Sequence, residues 1–304
     1  MKIEVINYRG WQNCYRLYNS QVDLVITTDV GPRIIRFGFI GEGNQFVEFK
    51  DDLGQVGGEE WRLYGGHRFW HAPEAKPRSY IPDNGPVLIE QHGTFVRLIQ
   101  PVETATGIQK ELDISIPADG ASATVVHRLR NTNLWSIEIA PWALSVMALG
   151  GMAIIPLPPR GSHAEHLLPT NIITLWAYTD MSDPRWTWGR EYILLRQDPQ
   201  IESPQKIGLM NKDGWVAYAQ SSNLFIKKFG YQPGVSYPDF GCSTEIFTRF
   251  DMMEVETLGP LKLLEPNSVV EHIENWYLYA GVPSPTSEAD VRLNILPKVK
   301  GSGA

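Results

Sequence analysis

Gln109-Lys110-Glu111-Leu112-Asp113-Ile114-Ser115-Ile116, then Pro117-Ala118-Asp119-Gly120, then Thr124-Val125-Val126-His127-Arg128-Leu129-Arg130 reads as two strands joined by a turn. Polar and apolar residues alternate along 109–116, the two-residue period of a strand with one face buried. A helix burying the same residues would space them at three and four. Proline, aspartate and glycine between the runs supply the backbone angles that reverse the chain.

The same signature recurs outward in both directions. Toward the N-terminus, 22–27 and 33–37 flank a turn at Gly31-Pro32, and 95–99 precedes a turn near Thr106-Gly107. Toward the C-terminus, strands are expected over 215–220, 224–228, 252–257 and 269–279. Helical signals are sparse. The clearest is Ser284-Pro285, a cap and first-turn proline ahead of 288–296. The 27 glycines and 22 prolines are spread along the chain instead of gathered into a linker, so residues 1–304 are expected to form a single domain. That many strands must close into an all-β sandwich or barrel to hide their apolar faces and edges.

Composition narrows the function. A formal net charge of −7, without a large Lys/Arg cluster, argues against a nucleic acid held through its phosphate backbone and against anionic lipid. Two cysteines, Cys14 and Cys242, cannot make a disulfide framework or a four-thiolate zinc site, and read as free thiols of a reducing compartment. The opening Met1-Lys2-Ile3-Glu4-Val5 has no apolar signal core, so a cytoplasmic location is expected. Residues 139–159 carry no charge, yet Pro141, Gly150, Gly151, Pro156, Pro158 and Pro159 break the run; two buried strands joined at Gly150-Gly151 are expected there, not a membrane span. Walker-type, dinucleotide-binding and Gly-x-Ser-x-Gly motifs are absent.

Chemistry-bearing residues concentrate in two places. Tyr64-Gly65-Gly66-His67-Arg68-Phe69-Trp70-His71-Ala72-Pro73-Glu74 packs two imidazoles, a guanidinium and a carboxylate behind a glycine pair, and is read as a loop that positions functional side chains. His67 and His71 have the i, i+4 spacing of metal-binding helices. However, Arg68 stands where the zincin glutamate would be and Pro73 opposes a helix, so no metal is expected. In Met252-Met253-Glu254-Val255-Glu256-Thr257-Leu258-Gly259-Pro260, strand alternation puts Glu254 and Glu256 on one face. From the residues alone this reads first as a solvated strand face with cations across the sheet, and otherwise as a pair whose mutual repulsion can lift a carboxyl toward a useful pKa. Trp142, Trp176, Tyr178 and Trp276 offer flat faces for a sugar ring, and Arg185, Asp239 and His92 are further polar candidates.

Tyr64–Glu74, the run from Ile137 to Gly151, and Glu254 through Pro260 resemble a bacterial branch of the galactose mutarotase-like (aldose 1-epimerase-like) superfamily, over roughly Val22 to Tyr279. The resemblance implies a β-supersandwich with few short helices and a sugar cleft on one concave sheet. It further implies a glutamate that takes the anomeric hydroxyl proton and a histidine that protonates the ring oxygen. Glu256 matches that glutamate, with Glu254 in reserve; His71 or His67 would be the acid, and His92-Gly93 also resembles a family His-Gly pair. Trp142 stands where one family histidine is expected.

The expected activity is therefore epimerase or mutarotase chemistry at the anomeric carbon of a sugar, by general acid/base catalysis without a cofactor. Catalysis would rest on Glu256 with His71 or His67, and binding on Arg68, His92, Trp142, Trp176, Arg185, Asp239 and Glu254. The expected partner is a small-molecule sugar, not nucleic acid or membrane. A non-catalytic sugar-binding protein on the same cleft is the first alternative, and a glycan lyase or hydrolase the second.

Overall fold

The computed structural model describes residues 1–303. Two large antiparallel sheets stack face to face, as the alternating pattern requires. The first runs, neighbour by neighbour, Lys2–Tyr8, Trp11–Tyr18, Val22–Thr27, Arg33–Phe39, Gly66–Ala72, Ile137–Met147, Met252–Leu258, Thr244–Arg249, Gln205–Leu209, Ile173–Leu175, with Lys262–Leu264 also on Ile137–Met147. The second runs Trp186–Trp188, Tyr192–Arg196, Met152–Pro156, Trp215–Gln220, Asn223–Phe229, Val269–Ala280, Ser122–Asn131, Ile108–Ser115, Val96–Ile99, Leu88–Gln91. The fold is all-β, a sandwich of two antiparallel sheets.

Side chains from both sheets interdigitate in the main core. Phe37 and Phe46 of the first-sheet side meet Phe225 and Trp276 of the second, and Phe46 and Phe225 each sit 5.6 Å from Trp276 in edge-on contacts. Burying one such ring contributes about 1.5–3 kcal/mol. The uncharged run resolves as two buried strands, Ile137–Met147 and Met152–Pro156, and the glycine pair between them carries the chain from one sheet to the other. Among the described residues, no helix is long and apolar enough to cross a membrane. Both cysteines are free and buried.

Two local expectations are corrected. The C-terminal helical segment runs from Glu288 through Gly301, and its cap is Ser287, whose hydroxyl accepts from the Asp290 amide, not Ser284. The segment read as a loop around residue 70 is a strand, Gly66–Ala72, buried along its whole length. The glycines before it do matter. Gly65 and Gly66 have φ of +95° and +73°, and a Cβ on them would lie 2.1 Å from the Val47 carbonyl and 2.3 Å from that of Ile34. The pair lets the backbone slip between two neighbouring segments and enter the middle of the sheet.

Candidate functional site

Strand alternation sorts the residues of Gly66–Ala72 into two environments. Arg68 and Trp70 face outward into a cleft, while His67, Phe69 and His71 face the opposite way. Pairing across the sheet continues the outward face: Trp70 lies opposite Trp142, Arg68 opposite Leu144, Leu144 opposite Glu256, and Glu256 opposite Glu245. Glu254 joins the same face two residues before Glu256.

The cleft holds about 240 Å³. One wall is aromatic, with Trp70 5.3 Å from Trp142 and 5.9 Å from Trp61, and Tyr80 closing the group. Arg68 Nη2 donates to Glu254 Oε1 at 2.7 Å, and its guanidinium lies 4.5 Å from the Trp70 ring centre. Nε and Nη1 of Arg68 are buried without a partner, which leaves donor capacity beside the cleft. Glu74, accepting from the Tyr80 hydroxyl, and Tyr178 stand at the mouth.

Beneath the cleft lies a cluster of one cation and two anions. Lys206 Nζ sits 2.7 Å from Glu245 Oε2 and 3.3 Å from Glu256 Oε2, and Trp142 Nε1 donates to Glu256 Oε2 at 2.7 Å. Both carboxyls are fully buried, and burial lifts each above its ordinary pKa despite Lys206. Burial also works against the Lys206 ammonium, but Glu245 and Glu256 outweigh it and hold that pKa well above its usual value. Lys206 is therefore protonated at neutral pH, with N–H groups to donate. Rings of Trp176 and Trp142 lie 4.7 and 5.1 Å from its nitrogen.

The expected imidazole-to-glutamate arrangement across the cleft is not formed. His67 is sealed between the sheets, where Nδ1 meets Ser145 Oγ at 2.8 Å and Nε2 meets His127 Nε2 at 2.7 Å. His71 points to the same side of its strand as His67, and Nε2 stands 3.9 Å from Glu103 Oε2. In a strand, five-residue reach spans about 13 Å, so these two imidazoles cannot share an ion. His92 is on an exposed turn of the second sheet, stacked on Phe95 at 4.4 Å and facing Glu90. Arg185 is buried away from the cleft in a two-toothed pair with Asp183 and a bond to Ser203. Asp239 belongs to a turn, and its carbonyl accepts from Thr174 and from the Cys242 thiol. Thus Arg68, Trp142 and Glu254 line the cleft, Glu256 and Trp176 adjoin it through Lys206, and His67, His71, His92, Arg185 and Asp239 do not line it.

Sequence reasoning missed Lys206, Glu245, Trp61, Tyr80 and Phe247. A signal existed for Glu245: folding 244–257 as a hairpin about Phe250-Asp251 pairs Arg249 with Met252 and brings Glu245 opposite Glu256. Lys206 had none, because Gln205–Leu209 is a short strand whose neighbour is distant in sequence.

The second buried cluster sits between the sheets. His67, His127 and Glu274 converge within 4.8 Å. Their hydrogen bonds are already made: His127 Nδ1 to the His272 carbonyl, His272 Nε2 to Thr257 Oγ1, and Trp276 Nε1 to Glu274 Oε2. Lys227 Nζ, 3.0 Å from Glu274 Oε1, supplies the positive charge. This is a satisfied internal network, not a vacant ligand set.

Burial holds the His127 pKa down to about 4 and that of His272 to about 3. Ring-nitrogen NMR shifts at pH 5 are expected to be those of neutral imidazoles at both positions; imidazolium signals there would contradict the assignment. The unfolded chain binds protons that these rings refuse. Each ring's contribution is therefore complete above about pH 6.5 and is lost as pH falls toward its folded value, about 1.4 kcal/mol per unit.

No protein-family model matches the chain, and no curated protein sequence does. Solved structures do match. A galactose mutarotase-like protein from Lactobacillus casei superimposes with a TM-score of 0.54 at 10% identity, over 88% of this chain and 100% of the other. A galactose mutarotase related enzyme from Lactobacillus acidophilus gives 0.56 at 8%, over 88% and 98%. A TPR-domain containing protein from Parabacteroides distasonis gives 0.60 at 14%, with 90% of this chain covering 48% of the other. The likeness is one of fold, and the all-β sandwich is of the galactose mutarotase type.

Proposed function

We propose that the cleft binds a monosaccharide-sized carbohydrate and that the chain, acting as one domain over residues 1–304, works on its anomeric carbon. The observation that carries the reading is one cleft in which the rings of Trp61, Trp70 and Trp142 stand directly against the Arg68–Glu254 pair and Lys206. Sugars present C–H faces that pack on indole rings and hydroxyls that bridge charged donors and acceptors. Fold neighbours described as mutarotase-like lend support.

The chemistry assigned to the site is ring opening and closure. Glu254, the carboxylate that reaches the cleft, takes the proton of the anomeric hydroxyl. Lys206 donates a proton to the ring oxygen as the C1–O5 bond breaks and a carbonyl forms at C1. The aldehyde turns over, O5 re-attacks, Lys206 recovers its proton and Glu254 returns its own to O1. Glu245 and Glu256 hold the Lys206 ammonium in place and keep it charged. The role first expected of an imidazole passes to Lys206, and that expected of Glu256 passes to Glu254.

Sugar binding is tested by thermal unfolding against a panel of monosaccharides, since a ligand of the folded state must stabilise it. At least one aldose is expected to raise the midpoint, and Trp70→Ala to weaken its binding by about tenfold. Absence of any shift at high sugar concentration would end this reading. One observation favours a non-catalytic binding protein as the second reading: among the described residues, no imidazole lines the cleft.

A further inference from the structure

We infer that the hollow on the other side of the Gly66–Ala72 strand, away from the cleft, binds a small organic carboxylate with an apolar body, held by His71 and Arg78. The hollow measures about 690 Å³, larger than the cleft and within the range of small-molecule sites. Its floor is apolar, built from Ile108, Ile137 and Ile139, and the exposed Trp135 ring stands at its rim.

The donors are what call for a ligand. His71 is only 2% exposed, and neither ring nitrogen has a hydrogen-bond partner within the protein. An unpaired buried polar group costs about 1–3 kcal/mol, so an imidazole left without a protein partner on the wall of a hollow gains from an acceptor that enters it. Arg78 Nε is likewise buried and unpartnered, while its Nη2 donates to the Pro73 carbonyl. Both side chains line the hollow. Glu103, the nearest acid to His71, is committed to Lys110 and to the Thr106 hydroxyl. Two open N–H groups, one on a permanent cation, match the acceptor pair of a carboxylate. The isoleucine floor matches a ring or short chain, not a polyol. Burial, with Lys110 and Arg78 nearby, keeps the imidazole neutral with a pKa of about 3, so it offers one N–H without needing a second proton.

Benzoate is the probe, with benzyl alcohol and cyclohexylamine as matched neutral and cationic controls. Titration is followed by thermal unfolding and by the ring-nitrogen NMR shifts of His71. Benzoate is expected to raise the midpoint and move the His71 signals, and the controls to do neither. His71→Leu and Arg78→Met are each expected to bind benzoate about tenfold or more weakly, with unliganded midpoints no lower than wild type for His71→Leu. Arg68→Met, a cleft variant, should bind it unchanged. Undiminished binding by both His71→Leu and Arg78→Met would overturn the inference. So would benzyl alcohol binding as tightly as benzoate, loss of binding only in Arg68→Met, or no response to benzoate.

Discussion

Lys227→Met is expected to lower the unfolding free energy by about 3–5 kcal/mol, measured by urea denaturation at neutral pH. Lys227 is fully buried, and its ammonium meets Glu274 Oε1 at 3.0 Å and the Val255 carbonyl at 3.0 Å. Burial alone would push the Glu274 carboxyl up. Lys227 first, and then His67, His127 and His272, outweigh burial and hold it well below its ordinary pKa. Removing the cation leaves an anion in an apolar interior with only Thr257 and Trp276 donating to it. The depressed Glu274 pKa contributes stability that is present above the unfolded value near 4.5 and lost as pH falls through the folded value. In the variant that contribution should disappear, and the loss should be smaller in acid. Lys227→Met combined with Glu274→Gln should recover much of the loss, because no unpaired charge remains. A loss below about 1 kcal/mol in the single variant would mean that the pair is not what secures this part of the interior.

The second large effect is kinetic. Glu254→Gln is expected to slow anomer exchange of the aldose that binds best by about 10²–10⁴-fold, the usual contribution of a positioned acid or base. Glutamine keeps an oxygen for Arg68 but cannot take the O1 proton, so sugar affinity should change little while turnover falls. Glu256→Gln should act more weakly on chemistry, through the Lys206 it helps to hold at 3.3 Å. Proton NMR of exchange between anomers separates these outcomes. Equal rates for wild type and Glu254→Gln across the panel would dismiss proton chemistry at this carboxylate and leave the sugar-binding reading standing.

The architecture was legible because it rests on period. Alternation over 109–116, the turn at 117–120 and the breaks within 139–159 each forced strands, and the strands appear as Ile108–Ser115, Ser122–Asn131, Ile137–Met147 and Met152–Pro156. The site was half legible. Trp142, Arg68 and Glu254 belong to local motifs that could be singled out, and all three line the cleft. His67 and His71 were misplaced because a glycine pair suggested a loop, in which neighbouring side chains can converge. In the strand that forms, odd and even positions part company, so choosing Arg68 and Trp70 for the cleft necessarily sends His67 and His71 elsewhere. Lys206 and Glu245 were invisible for a different reason. Their meaning arises only when Gln205–Leu209, Thr244–Arg249 and Met252–Leu258 are laid side by side, and sequence separation hides which strands are neighbours.

Gly66–Ala72 thus serves two masters: one parity of its residues lines the cleft, and the other turns away from it, into the interior at His67 and Phe69 and onto the second hollow at His71. Cleft and interior are written on it like two texts on interleaved lines. The cleft face can therefore be rewritten at positions 68 and 70 without editing the interior script, whereas inserting one residue into this heptapeptide would transpose both texts at once.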